Sequence, residues 1–134
     1  MAQLTASKNR VFEAQNLVNS QPVDAAVIIY AGSAVGQNPA TGGNRQLATG
    51  GADVFAGFAR DNVDNSLGVL GDKDVELDVN RQVVLDVVGL VATTPIGTSV
   101  YAIDGDSFTL TSTSNTLIGT IKRRIAGIQA VVEI

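Results

Sequence analysis

From Asp74 to Asn80 apolar and polar side chains alternate without a break: Val75, Leu77 and Val79 are separated by Asp74, Glu76, Asp78 and Asn80. A side-chain period of two marks a strand with one face buried and the other in water, and a helix cannot gather such a pattern on one side. The segment predicts a half-buried β-strand with an acidic outer face. The rest of the chain is suited to the same kind of structure. The hydrophobic fraction is 45%, yet aromatic residues make up only 4%, so the core must be built from Val, Ile, Leu and Ala. Branching at Cβ fits Val and Ile to a pleated surface. Fourteen glycines, with many Asn, Asp, Ser and Thr, supply turns. At 134 residues the chain fits a single domain with a sizeable core.

Read along the chain, turn residues bracket short apolar runs. Ala25–Tyr30 is a continuous run and predicts a strand buried on both faces; Ala34-Val35 follows the Gly32-Ser33 turn. Gln37–Gly51 reads as a long loop or an irregular hairpin around Arg45-Gln46-Leu47. In Val54–Ala59 the internal Gly57 predicts a bulge or a close backbone approach. The alternating segment and Val83–Val88 read as a hairpin turning at Arg81-Gln82. Ser99–Ile103 and Phe108–Thr111 read as another, with Asp104-Gly105-Asp106 as its tight turn. Leu117–Ile121 and Ile128–Val132 are the last strands, with Lys122-Arg123-Arg124 in a turn between them. Eight or nine strands at this spacing, without a helical pattern of ten residues, predict an all-β fold: a compact antiparallel barrel or sandwich-like domain over residues 25–134. Residues 1–24, rich in Gln, Asn, Ser and Ala, read as an extended N-terminal arm that is either loosely ordered or docks on another subunit.

Charge and composition narrow the chemistry. The formal net charge is −4, and between Asp72 and Asp106 seven acids face two bases, Lys73 and Arg81. Binding to nucleic acid or to an anionic membrane calls for the opposite sign. No apolar run approaches the ~20 residues that span a bilayer, and the polar Met1–Arg10 segment does not read as a signal peptide. With neither His nor Cys, the usual zinc and transition-metal ligand sets and the common nucleophile–base pairs are missing. No catalytic, cofactor or metal residue is assigned. Gly32–Gly36 lacks the spacing of a nucleophile elbow, and no glycine-rich stretch ends in the Gly-Lys-Ser/Thr of a phosphate loop. Asp72-Lys73-Asp74 and Asp104-Gly105-Asp106 read as turns rather than calcium loops. Lys122-Arg123-Arg124 is the one basic cluster, able to reach acidic groups on a partner through charge-assisted bonds.

Several short words occur in a recognisable order: Val27–Gly36 with its Gly-Ser, Asp53-Val54-Phe55-Ala56-Gly57-Phe58-Ala59, the pair Val75–Val79 and Val83–Gly89, Ile96-Gly97-Thr98-Ser99-Val100-Tyr101-Ala102 with Asp104, Phe108-Thr109-Leu110-Thr111, and Ile118-Gly119-Thr120-Ile121. Over residues 25–134 this order resembles the decoration, or cement, proteins that stabilise the heads of tailed bacteriophages. The resemblance implies a barrel- or tulip-like β module on the outer capsid surface, made in the host cytoplasm. It implies bridging of major capsid subunits and self-association, with a trimer favoured over a dimer or monomer. It carries no catalytic motif. Candidate contacts are Gln3, Leu4, Val11 and Phe12 in the arm, and Arg45, Arg123 and Arg124. The alternative is a carbohydrate- or receptor-binding module of a phage tail or spike, which would present exposed aromatic rings for sugars; Tyr30, Tyr101 and four Phe are what the chain offers.

Overall fold

The computed structural model describes residues 17–134. Twelve strands follow one another: β1 (Val18–Pro22), β2 (Val27–Ile29), β3 (Ala34–Gln37), β4 (Asn44–Gln46), β5 (Val54–Ala59), β6 (Val63–Asn65), β7 (Asp74–Asp78), β8 (Gln82–Val88), β9 (Ser99–Ala102), β10 (Phe108–Thr109), β11 (Thr116–Ala126) and β12 (Gln129–Glu133). No helix occurs among the described residues, so the all-β class holds. The first half forms a five-stranded sheet in the order β1-β7-β5-β3-β4 with a separate β2–β6 ribbon; the second half closes into a five-stranded barrel, β10-β8-β12-β11-β9. Every pairing between named strands is antiparallel except β8 with β10.

The alternating segment does what its pattern demands. Val75 and Leu77 are fully buried, while Asp74 and Glu76 face water. Its predicted partner is wrong, however. β7 pairs with β1 on one edge and β5 on the other, and β8 pairs with β10 and β12. With both edges of β7 occupied, no ladder remains for β8. The chain instead passes Asn80 in a left-handed conformation (φ 53°) and enters the barrel. β1 also changes the picture of the N-terminus. Residues 18–22, placed in the arm by composition, are ladder-bonded to β7, and Val23 is fully buried. A parallel bridge from Val23 to Asn44 then draws the sheet's two outer strands together. β2 is not buried on both faces: Ile29 is fully buried but Ile28 is 37% exposed, as expected of a two-stranded ribbon that packs only one face.

The bulge expected at Gly57 is present. The β3–β5 register jumps from Val35↔Gly57 to Gly36↔Phe55, leaving Ala56 unpaired in the ladder. Gly57 sits at φ 147°, and a Cβ there would fall 2.7 Å from the Asp78 carbonyl oxygen, so both predicted reasons for a glycine apply.

β3 and β5 form the wall between two cores. Ala34 and Phe58 point into the barrel core with Leu85, Val87, Val100, Phe108, Ile121 and Val132; the next residues along, Val35 and Ala59, point the other way, onto Val23, Ile29, Val63, Val75 and Leu77. Period two on a shared strand thus serves two cores at once. Phe58 stands at the junction, edge-on to Phe55 (5.8 Å between centroids, 72°) and tilted against Phe108 (5.9 Å, 43°). The sheet side is also tied by polar groups. The Asn65 carboxamide, in a residue only 1% exposed, donates to the carbonyls of Asp24 (2.9 Å) and Val69 (3.1 Å). A Cβ on Gly68 would collide with the Asn65 Oδ1, so this position has room only for glycine.

Candidate functional site

The basic cluster is not in a turn. β11 runs through it: β9 pairs with Thr116–Thr120, and past that point β12 alone continues alongside as far as Ala126. The pairing slips between Ile121 and Arg123 and again between Arg124 and Ala126. These bulges swing the strand out of the barrel wall. Residues 122–129 are all exposed, and the hairpin turns at Gly127 (φ 54°). Lys122 Nζ meets Glu133 Oε2 at 2.8 Å, a surface pair of small energetic weight. Arg124 Nε donates to the Gly127 carbonyl at 2.9 Å and braces the tip. Arg123 makes no ion pair among the described residues and faces Val131 across the ladder. Ile125 and Ile128 are 42% and 44% exposed. The tip therefore combines fixed cations with accessible aliphatic surface.

Arg45 is placed differently. Its Nε and Nη2 donate to Asp53 Oδ2 (3.0 Å) and Oδ1 (2.8 Å), a fork-to-fork contact, and the Asp53 side chain is fully buried. Ala48 N–H adds a 3.2 Å bond to the same carboxylate. The Arg45 hydrogen bonds hold the Asp53 carboxyl below the ordinary aspartate range, against the opposing push of burial, and raise the Arg45 guanidinium in turn. Arg45 thus fastens the loop between β4 and β5, with a third of its side chain left in solvent. It lies at the sheet's outer strand, on a different element from Arg123 and Arg124, and no ion pair or hydrogen bond joins the three. Gln3, Leu4, Val11 and Phe12 lie outside the described residues.

The acidic turns use their carboxylates locally. Asp72 Oδ2 accepts from Val69 N–H (2.9 Å) and Asp104 Oδ1 from Asp106 N–H (2.9 Å). Among the described residues no group of three or more His, Cys, Asp or Glu is arranged to hold a metal ion.

Sequence reading missed a cleft of about 420 Å³ lined by Tyr30, Gly32, Ser33, Gln46 and Asp106. It forms where the β2–β3 turn, β4 and the β9–β10 loop meet. The loop is wider than the tight turn expected of Asp-Gly: Ile103 N–H closes on the Ser107 carbonyl at 2.8 Å. It docks on the first half through Ala34 N–H to the Gly105 carbonyl (2.8 Å), and a Cβ on Gly105 would crowd Gln46 Oε1 at 2.9 Å. The one sequence signal was Tyr30 itself, a polar-tipped ring ending an apolar run just before Gly32-Ser33.

No protein-family model, no curated protein and no solved structure matches the chain. The fold defines its class, an all-β domain with a small closed barrel joined to a curled sheet.

Proposed function

We propose that the protein is a structural, non-enzymatic virion component that binds the outer surface of a tailed-phage capsid, bridges major capsid subunits and stabilises the expanded head, acting as a homo-oligomer with a trimer preferred. The observation that carries this reading is the projecting β11–β12 hairpin, a cationic and aliphatic tip on a chain of net charge −4. Such a tip can bury Ile125 and Ile128 against a partner while Arg123 reaches a carboxylate at the rim, the arrangement that distinguishes specific interfaces. Each contact is small, and repetition over a symmetric lattice multiplies it. The order of sequence words over residues 25–134 supports the same reading.

Co-sedimentation of the purified protein with expanded and unexpanded undecorated heads tests it. Saturable binding at a copy number fixed by the lattice, on expanded heads alone, is the expected result. Absence of binding to every head form would end the proposal.

A further inference from the structure

The Tyr30 cleft has features that a surface serving only shell attachment does not need. Tyr30 is 57% exposed, yet its backbone is pinned. Its carbonyl accepts both the N–H (3.2 Å) and the hydroxyl (2.6 Å) of Ser33, Ala31 N–H donates to Asn62 Oδ1 (2.8 Å), and Gly32 N–H donates to the Ala59 carbonyl (2.8 Å). An aromatic ring held in water on a fixed turn has little backbone order left to lose on binding. Opposite it, the Gln46 carboxamide and the Asp106 carboxylate bond to no other described side chain or backbone group, although the backbones that carry them are held by the β3–β4 ladder and the Ala34–Gly105 bond. Asp106 also lines an adjoining cleft of about 310 Å³ with Asp86 and Gln129, which face each other across β8 and β12. The two clefts give a track from the Tyr30 ring past Asp106 to Gln129.

We infer that this track binds an oligosaccharide, with one sugar ring laid on Tyr30 and its hydroxyls bonded to Gln46 and Asp106. A pyranose presents an apolar C–H face and, at its edge, hydroxyls that each donate and accept. The aromatic face takes the first, a carboxylate accepts from two adjacent hydroxyls, and a carboxamide both donates and accepts. The cleft volume falls within the about 300–1,000 Å³ of small-molecule sites. The inference goes beyond shell binding and does not depend on it, because Tyr30, Gln46 and Asp106 lie on other elements than the β11–β12 hairpin and only Gln129 borders both; a failed glycan experiment leaves the co-sedimentation result standing, and the reverse.

The test is an array of neutral and acidic glycans probed with the whole protein, followed by NMR titration with the best oligosaccharide and, separately, with a lysine-rich peptide. Binding of at least one glycan is expected, with amide shifts at residues 30–33, 46 and 104–106. Tyr30→Ala should weaken binding by about tenfold or more, and Tyr30→Phe should retain most of it. Asp106→Asn should weaken it by about tenfold. Both positions are at the surface, and an unchanged far-UV spectrum will show that folding is intact. The inference is overturned if no glycan binds up to its solubility limit, if binding survives Tyr30→Ala, if the shifts map elsewhere, or if the peptide alone occupies the cleft.

Discussion

On their barrel side, β3 and β5 put Ala34 and Phe58 against an almost wholly aliphatic core; on their other side, Val35 and Ala59 meet a smaller set of aliphatics ringed by buried Asp24, Asn44 and Asn65. Of the seven buried polar residues among the described ones, only Thr109 and Thr116 belong to the barrel half. The barrel is held by dispersion and exclusion of water, which are non-directional and respond to volume. The sheet half adds directional bonds, in which a single lost donor leaves a buried carbonyl unpaired. The same backbone class is thus stabilised in two ways within one chain. The halves should therefore tolerate different substitutions.

Phe58 contributes to the boundary itself, so Phe58→Ala should cost the most, about 3–5 kcal/mol in chemical denaturation. One cooperative transition should persist, reported alike by far-UV and by the fluorescence of Tyr30 and Tyr101; two separate transitions would mean that the halves are independent. Next, Asn65→Leu keeps the volume but removes the donor to the Asp24 and Val69 carbonyls, for a loss of about 2–3 kcal/mol. The matching change in the barrel, Ile121→Leu, should cost under about 1.5 kcal/mol because only shape is disturbed. Equal losses from these two would abolish the contrast.

Between those two lies the Arg45–Asp53 pair. Asp53→Asn should cost about 2 kcal/mol, less than a fully enclosed pair, because Arg45 remains a third exposed. The folded-state carboxyl titrates below its unfolded value. Its stabilisation is therefore complete above about pH 4, the unfolded range, and is lost as the pH falls through the lower folded value. A denaturation series from neutral to acid pH should show the wild type converging on Asp53→Asn; parallel curves would disprove the role. The smallest effect on stability belongs to Arg123→Glu, within about 0.5 kcal/mol, although the same change should reduce copies per shell in co-sedimentation.

How much of this could be read in advance follows from what periodicity encodes. Alternation fixed the buried face of Val75 and Leu77, and Gly57 announced its bulge, because both are local properties. Partnership is not local. Nothing in Asp74–Asp78 says that β1 and β5 will fill its edges, and Val18–Pro22 has no alternation to mark it as a strand; its ladder bonds are backbone bonds, indifferent to side chain. Arg123 and Arg124 read as turn residues because they interrupt an apolar run, whereas two bulges let a strand carry them outward. Arg45 read as a candidate contact with a partner, and its bond to Asp53 was not foreseen because only the fold brings the two together. Tyr30, Gln46 and Asp106 lie on three separate segments, and no spacing rule joins them.

The place of β12 has a consequence for biosynthesis. This strand sits between β8 and β11, each of which depends on it for one edge. All five strands of the curled sheet and both strands of the β2–β6 ribbon are synthesised before β8, so that half can pair while translation continues. The barrel cannot close until residues 129–133 have emerged from the ribosome. Until then β8 and β11 each expose a bare edge to neighbouring nascent chains, which makes the interval before closure the period of greatest risk of aggregation.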